Sequence, residues 1–128
     1  MSKWEELNIE AHIREILIEV EYCREHHFER PFLTAYQLAI KFNQRFPNEA
    51  REIGFPVGGE GVGVRSSLAQ YLAGQLSKRI SSGELQGIEG AFISNNDLKK
   101  ITFKNGDEII VSSLTETQFD LSMFRLMV

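Results

Sequence analysis

The stretch Pro56-Val-Gly-Gly-Glu-Gly-Val-Gly-Val-Arg-Ser-Ser-Leu68 puts four glycines within six positions, just ahead of a helix that opens at Ser66 or Ser67. Glycines reach backbone angles closed to other residues, so such a loop can wrap N–H groups around an anion at a helix N-terminus. Gly59, Gly61, Gly63, Arg65 and Ser66 would then form the anion site. The alternative is a flexible connector. A nucleotide cradle needs GxxxxGK[ST] after a strand, and here Val64 and Arg65 follow Gly63 while Pro56 interrupts the preceding segment.

Cys23, His26 and His27 are the only other clustered ligand types. Cys23 and His26 stand three apart and could share a helix face, but a closed zinc site needs about four ligands, and His12 lies roughly three turns away. No metal or other cofactor is expected. Nothing places a base and an orienting group beside Cys23 or a serine, so nucleophilic catalysis has no candidate. Glu5-Glu6 and Asp107-Glu108 read as solvated carboxylates. The expectation is a protein that is not an enzyme.

A chain of 128 residues with 42% apolar and 25% charged side chains is long enough for one domain with a real core. No apolar run spans a membrane, the acidic start does not look like a signal peptide, and one cysteine excludes an internal disulfide framework. The expected compartment is the cytoplasm. The net charge of −4 divides into −4 over residues 1–30, +3 over 31–81 and −3 over 82–128. That balance opposes strong non-specific nucleic-acid binding and leaves a mildly basic middle.

The positioning elements follow from periodicity. Ile9, Ile13, Ile16, Leu17, Val20 and Cys23 predict one long helix over residues 4–27, whose surplus length could pack on a second copy. Thr34-Ala-Tyr-Gln37 fits a capping box and predicts a second helix over 34–46, stopped by Pro47. Residues 47–65 read as a long connection, pinned by Ile53 and Phe55. Ser67-Leu-Ala-Gln70 predicts a third helix over 66–82, with Leu68, Leu72, Leu76 and Ile80 inward and Gly83 as its C-terminal cap. Period two then predicts a β-meander over 87–112, with Asn105-Gly106 as a type I′ turn and Lys104 opposite Asp107. The apolar tail, 117–128, reads ambiguously and favours a strand.

The outer face of the third helix is small and polar: Ser67, Gln70, Gly74, Ser77, Lys78 and Ser81. Such groups can reach base edges and phosphates, although Gly74 could instead serve close packing on the first helix. Helix, helix, helix, then hairpin resembles the winged helix-turn-helix superfamily over roughly residues 8–112. Thr34–Phe42 match the second helix, Ser66–Ala73 the recognition helix, and Ile101–Val111 the wing. The resemblance implies a single α+β winged-helix-like domain that binds double-stranded DNA and acts as a regulator, with a homodimer expected. Ser66, Ser67, Gln70, Ser77 and Lys78 would face DNA, with Arg65 on phosphate and Lys104 at the wing tip. Losing Arg65, Lys78 or Arg79 should weaken binding. A protein–protein adaptor on the same scaffold, using the acidic first helix or the tail, is the alternative; an anion or nucleotide binder using the glycine loop is the other.

Overall fold

The structure, a computed structural model, describes residues 2–22, 24–25, 27–58, 67–111 and 121–127. The chain is α+β: five helices, α1 (Lys3–Glu6), α2 (Ile9–Ile18), α3 (Ala35–Arg45), α4 (Pro47–Ile53) and α5 (Leu68–Ser81), accompany two antiparallel sheets. Strands β1 (Leu33–Thr34), β2 (Ile88–Ile93) and β5 (Leu121–Leu126) form one sheet in the order β1-β5-β2. Strands β3 (Thr102–Asn105) and β4 (Glu108–Val111) form a separate hairpin.

The single long N-terminal helix is not what forms. Asn8 takes a left-handed conformation at φ 53° and separates α1 from α2, a role that asparagine tolerates better than most residues. At the far end α2 stops at Ile18. The Arg30 guanidinium donates through Nη1 to the carbonyls of Ile18 and Val20, satisfying groups that a helix end leaves open. The expected apolar stripe is real within α2: Ile9, Ile13, Ile16 and Leu17 are buried in the chain's own core, and only Ile18 is left half-exposed. A long helix with surplus to share with a second copy is therefore absent from the described residues.

The second helix forms as its capping box requires. Thr34 Oγ1 accepts from the Gln37 N–H, and the Gln37 side chain accepts from the Thr34 N–H. Pro47 ends α3 but also starts α4, because a proline at the first helical position loses no hydrogen bond there. Gly54 closes α4 at φ 89°. The expected connection thus begins with a helix that buries Ala50 and Ile53, while Phe55, 39% exposed, lies beside the Tyr71 ring of α5 with centroids 6.4 Å apart.

Two hydrogen bonds, Leu68 N–H to the Pro56 carbonyl (2.7 Å) and Ala69 N–H to the Val57 carbonyl (3.0 Å), tie the chain before the glycine run to the start of α5. Gly58 makes that approach: at φ 132°, a Cβ there would stand 3.2 Å from Ser67 Cβ and 3.4 Å from the Tyr36 ring. Helix α5 then buries Leu68, Ala69, Leu72, Ala73 and Leu76, and Gly83 at φ 82° ends it.

The tail is a strand and the middle one of its sheet. Leu33 and Gly90 flank Phe124 in register, and Leu121 and Phe124 are buried. In the small hairpin, Asn105 pairs with Glu108 and Lys104 with Ile109, so the two-residue loop is Gly106-Asp107, one position later than expected. Positive φ belongs to Gly106 alone, which suits a type II′ rather than a type I′ turn. The register moves by two residues in total, so facing parity survives and Phe103 still shares a face with Ile110.

Candidate nucleic-acid interface

Helix α5 presents one open stripe. Gly74, Ser77, Lys78 and Ser81 are exposed and Gln70 is half-exposed, at spacings that keep all five on one side. A Cβ built on Gly74 meets nothing within 4 Å. Close packing of Gly74 against the first helix is therefore excluded: it faces open space in the middle of a fourteen-residue helix.

Two of the residues expected on this face are engaged elsewhere. Ser67 is 4% exposed, and its Oγ accepts from the Gln70 N–H as the N-cap of α5. Arg79 turns away from the stripe. It pairs with Glu84, donates to Gln75 Oε1 at 3.1 Å and lies over the Trp4 ring at 4.6 Å. Its Nε is buried without a hydrogen-bond partner among the described residues, and the contact with Trp4 braces α1 against α5. Tyr71, on the flank of α5, has its hydroxyl pKa pushed above 10.0 by burial, with nearby Arg79 pulling the other way.

Arg65, Ser66, Gly59, Gly61 and Gly63 lie outside the described residues. The helix end they lead into is nevertheless visible. Leu68 and Ala69 donate to Pro56 and Val57, Gln70 donates to Ser67 Oγ, and Tyr71 donates to the Ser67 carbonyl. The N–H groups of the first three helical residues, Leu68, Ala69 and Gln70, are thus taken by the chain itself, and Tyr71 makes the first regular helical bond. An anion at this terminus would find none of them free.

Lys104 is exposed on the outer face of β3. The opposite face sets Phe103 on the Tyr36 ring, centroids 5.1 Å apart, and Tyr36 in turn touches the Gly58–Ser67 junction. The hairpin thus sits beside the starts of α3 and α5. Sequence reasoning gave no signal for this stack, since the partners are 67 positions apart and aromatic residues serve cores equally well.

Comparison with protein-family models, curated proteins and solved structures found no match to this chain. His12 and its surroundings offer no metal chemistry: His12 Nε2 lies 3.2 Å from Glu49 and its ring stacks on Phe46 at 3.9 Å. No group of three His, Cys, Asp or Glu among the described residues could hold a metal ion. No helix among them is long and apolar enough to cross a membrane.

In the described part of the tail, residues 121–127, Leu121 and Phe124 fill the core, Arg125 pairs with Glu89 opposite it, and Met127 is largely exposed. The acidic N-terminal segment is partly neutralised from within, with Glu10 on Arg14 and Glu15 and Glu19 on Arg45.

Proposed function

We propose that this chain is a non-enzymatic DNA-binding protein of winged-helix type, which sets α5 into a major groove as a regulator does. Gly74 carries the proposal. A glycine inside a helix is about 0.5–1 kcal/mol less favourable than alanine, and here no contact among the described residues requires it. A stripe of Gln70, Ser77, Lys78 and Ser81 around it offers donors and acceptors of the kinds that read base edges and phosphates. The β3–β4 hairpin, in the 101–111 stretch that the resemblance takes as the wing, follows α5 in the chain. Lys104 on that hairpin is the phosphate contact.

Fluorescence anisotropy with random duplex DNA at low and moderate salt tests the proposal. Saturable binding at low salt, weakened by Lys78→Ala, is the expected result. Duplex binding that ignores Lys78→Ala and Gly74→Leu alike would remove α5 from the interface.

One observation favours a second reading on the same surface. Arg14, Arg45, Arg79 and Arg125 are each paired with a carboxylate of the chain, which leaves Lys78 as the cation of the exposed stripe. A protein partner would suit so uncharged a face, and the chain would then be an adaptor. Gly74→Leu disrupts either complex, whereas Lys78→Ala selectively weakens DNA.

A further inference from the structure

Strand β2 is paired along one side only: β5 bonds to it, and no other described strand does. One hydrogen bond fixes which backbone groups face outward. The Met127 N–H donates to the Gly87 carbonyl at 2.8 Å, and these two residues stand directly opposite in the β2–β5 register. Bonded and non-bonded pairs alternate along an antiparallel ladder, so Glu89, Ala91 and Ile93 bond to β5 as well. The N–H and C=O groups of Ile88, Gly90 and Phe92 point the other way. Ile88 is buried, but Gly90 and Phe92 are exposed, Phe92 at 66%. Among the described residues no backbone hydrogen bond reaches either of them from the open side.

Proteins guard such an edge with lysine, proline, a bulge or a very short strand. The opposite edge, β1, is guarded: it is two residues long and runs straight into the cap of α3. Strand β2 has six residues in unbroken register, and its one charge, Glu89, is held by Arg125 of β5. We infer that β2 pairs antiparallel with β2 of a second copy of this chain, about a two-fold axis at Ala91. That register sets Gly90 of each copy against Phe92 of the other and closes their outward N–H and C=O groups on one another. Gly90 and Phe92 share a face of the strand, so each exposed ring lies over a position without a side chain. A Cβ on Gly90 would already stand 3.4 Å from the Phe124 ring, which keeps a glycine there while its outer side stays bare. An axis at Glu89 would oppose two like charges, and an axis at Gly90 would need the buried backbone of Ile88. The joined sheet ends in two short β1 edges, so assembly closes at two chains. A contact of a few residues a side is far below a standard interface, so the pair forms reversibly and with concentration. The strand lies outside the α5 stripe, and the pairing stands whether or not α5 binds DNA.

The experiment is sedimentation of the full chain over a concentration series, with amide hydrogen exchange read by NMR at the same concentrations. The mean mass should climb from 14.6 kDa toward twice that value. The Gly90 and Phe92 amides should gain protection in step, while those of Ala91 and Ile93 are protected throughout by β5. Phe92→Lys, at an exposed position, should hold the mass at one chain and lose the Gly90 protection, with Ala91 protection reporting that the fold is intact. Ile109→Lys, at an exposed apolar position on β4, should change neither reading. A mass of one chain at every concentration overturns the inference, as does self-association that leaves the Gly90 amide unprotected.

Discussion

Gly74 and Arg79, five positions apart on one helix, separate surface chemistry from structure. Replacing Gly74 with alanine relieves a conformational burden and meets nothing, so the fold should gain about 0.5–1 kcal/mol in denaturant unfolding. On the proposed interface the same methyl intrudes, and duplex affinity should fall about tenfold, the worth of one good base contact. A variant that is more stable and binds equally well would strip Gly74 of its role. Arg79→Ala should act in the opposite sense. Losing its contacts to Trp4, Gln75 and Glu84 should lower stability by about 1–2 kcal/mol, with the salt dependence of DNA binding unchanged. Tyr71 adds a pH dependence. Its folded pKa lies above the unfolded value of 10.0, so its contribution is complete below pH 10 and is lost as pH rises through the folded pKa. Unfolding midpoints should therefore decline in strongly alkaline buffer, and less steeply for Tyr71→Phe.

Among the elements, local chemistry was legible wherever a cap or a turn residue decided the outcome. The Thr34–Gln37 box starts α3, Ser67 caps α5, and Gly83 ends it. Thr34→Ala should cost about 1 kcal/mol, measurable as a lower thermal midpoint. The first helix is shorter than its spacing predicts, because the apolar spacing continues through Val20 past its true end at Ile18. What interrupts it is Asn8, which spacing treats as one more polar residue, and Arg30, which stops α2 from twelve positions away. Asn8→Gly should preserve stability, while Asn8→Val should lose about 1–2 kcal/mol, since a branched side chain resists the left-handed region. Pro47 was legible as a stop and not as a start, because the same residue does both. The tail hid its place in the sheet: its buried residues, Leu121 and Phe124, stand three apart rather than two.

At the scale of the molecule, charge limits how any nucleic acid can be held. Few cations remain for phosphates on the proposed face: Lys78, Lys104 and, in the sequence, Arg65. The slope of log affinity against log salt should therefore be only about −2 to −3, at roughly 0.9 per phosphate neutralised. A much steeper slope would place the contact on a different surface. The candidate site was half legible. The α5 stripe followed from helical spacing, whereas the diversion of Arg79 and Ser67 into the structure depends on Trp4, Glu84 and Gln70 arriving beside them in space. The two hydrogen bonds from Leu68 and Ala69 back to Pro56 and Val57 carry one more consequence. They fasten both ends of the glycine segment at one point, so its length is uncoupled from the position of α5. Doubling such a loop adds only about 0.6 kcal/mol of closure entropy. Evolution, or an engineer inserting a reporter peptide, can therefore rewrite the segment without moving the helix it feeds.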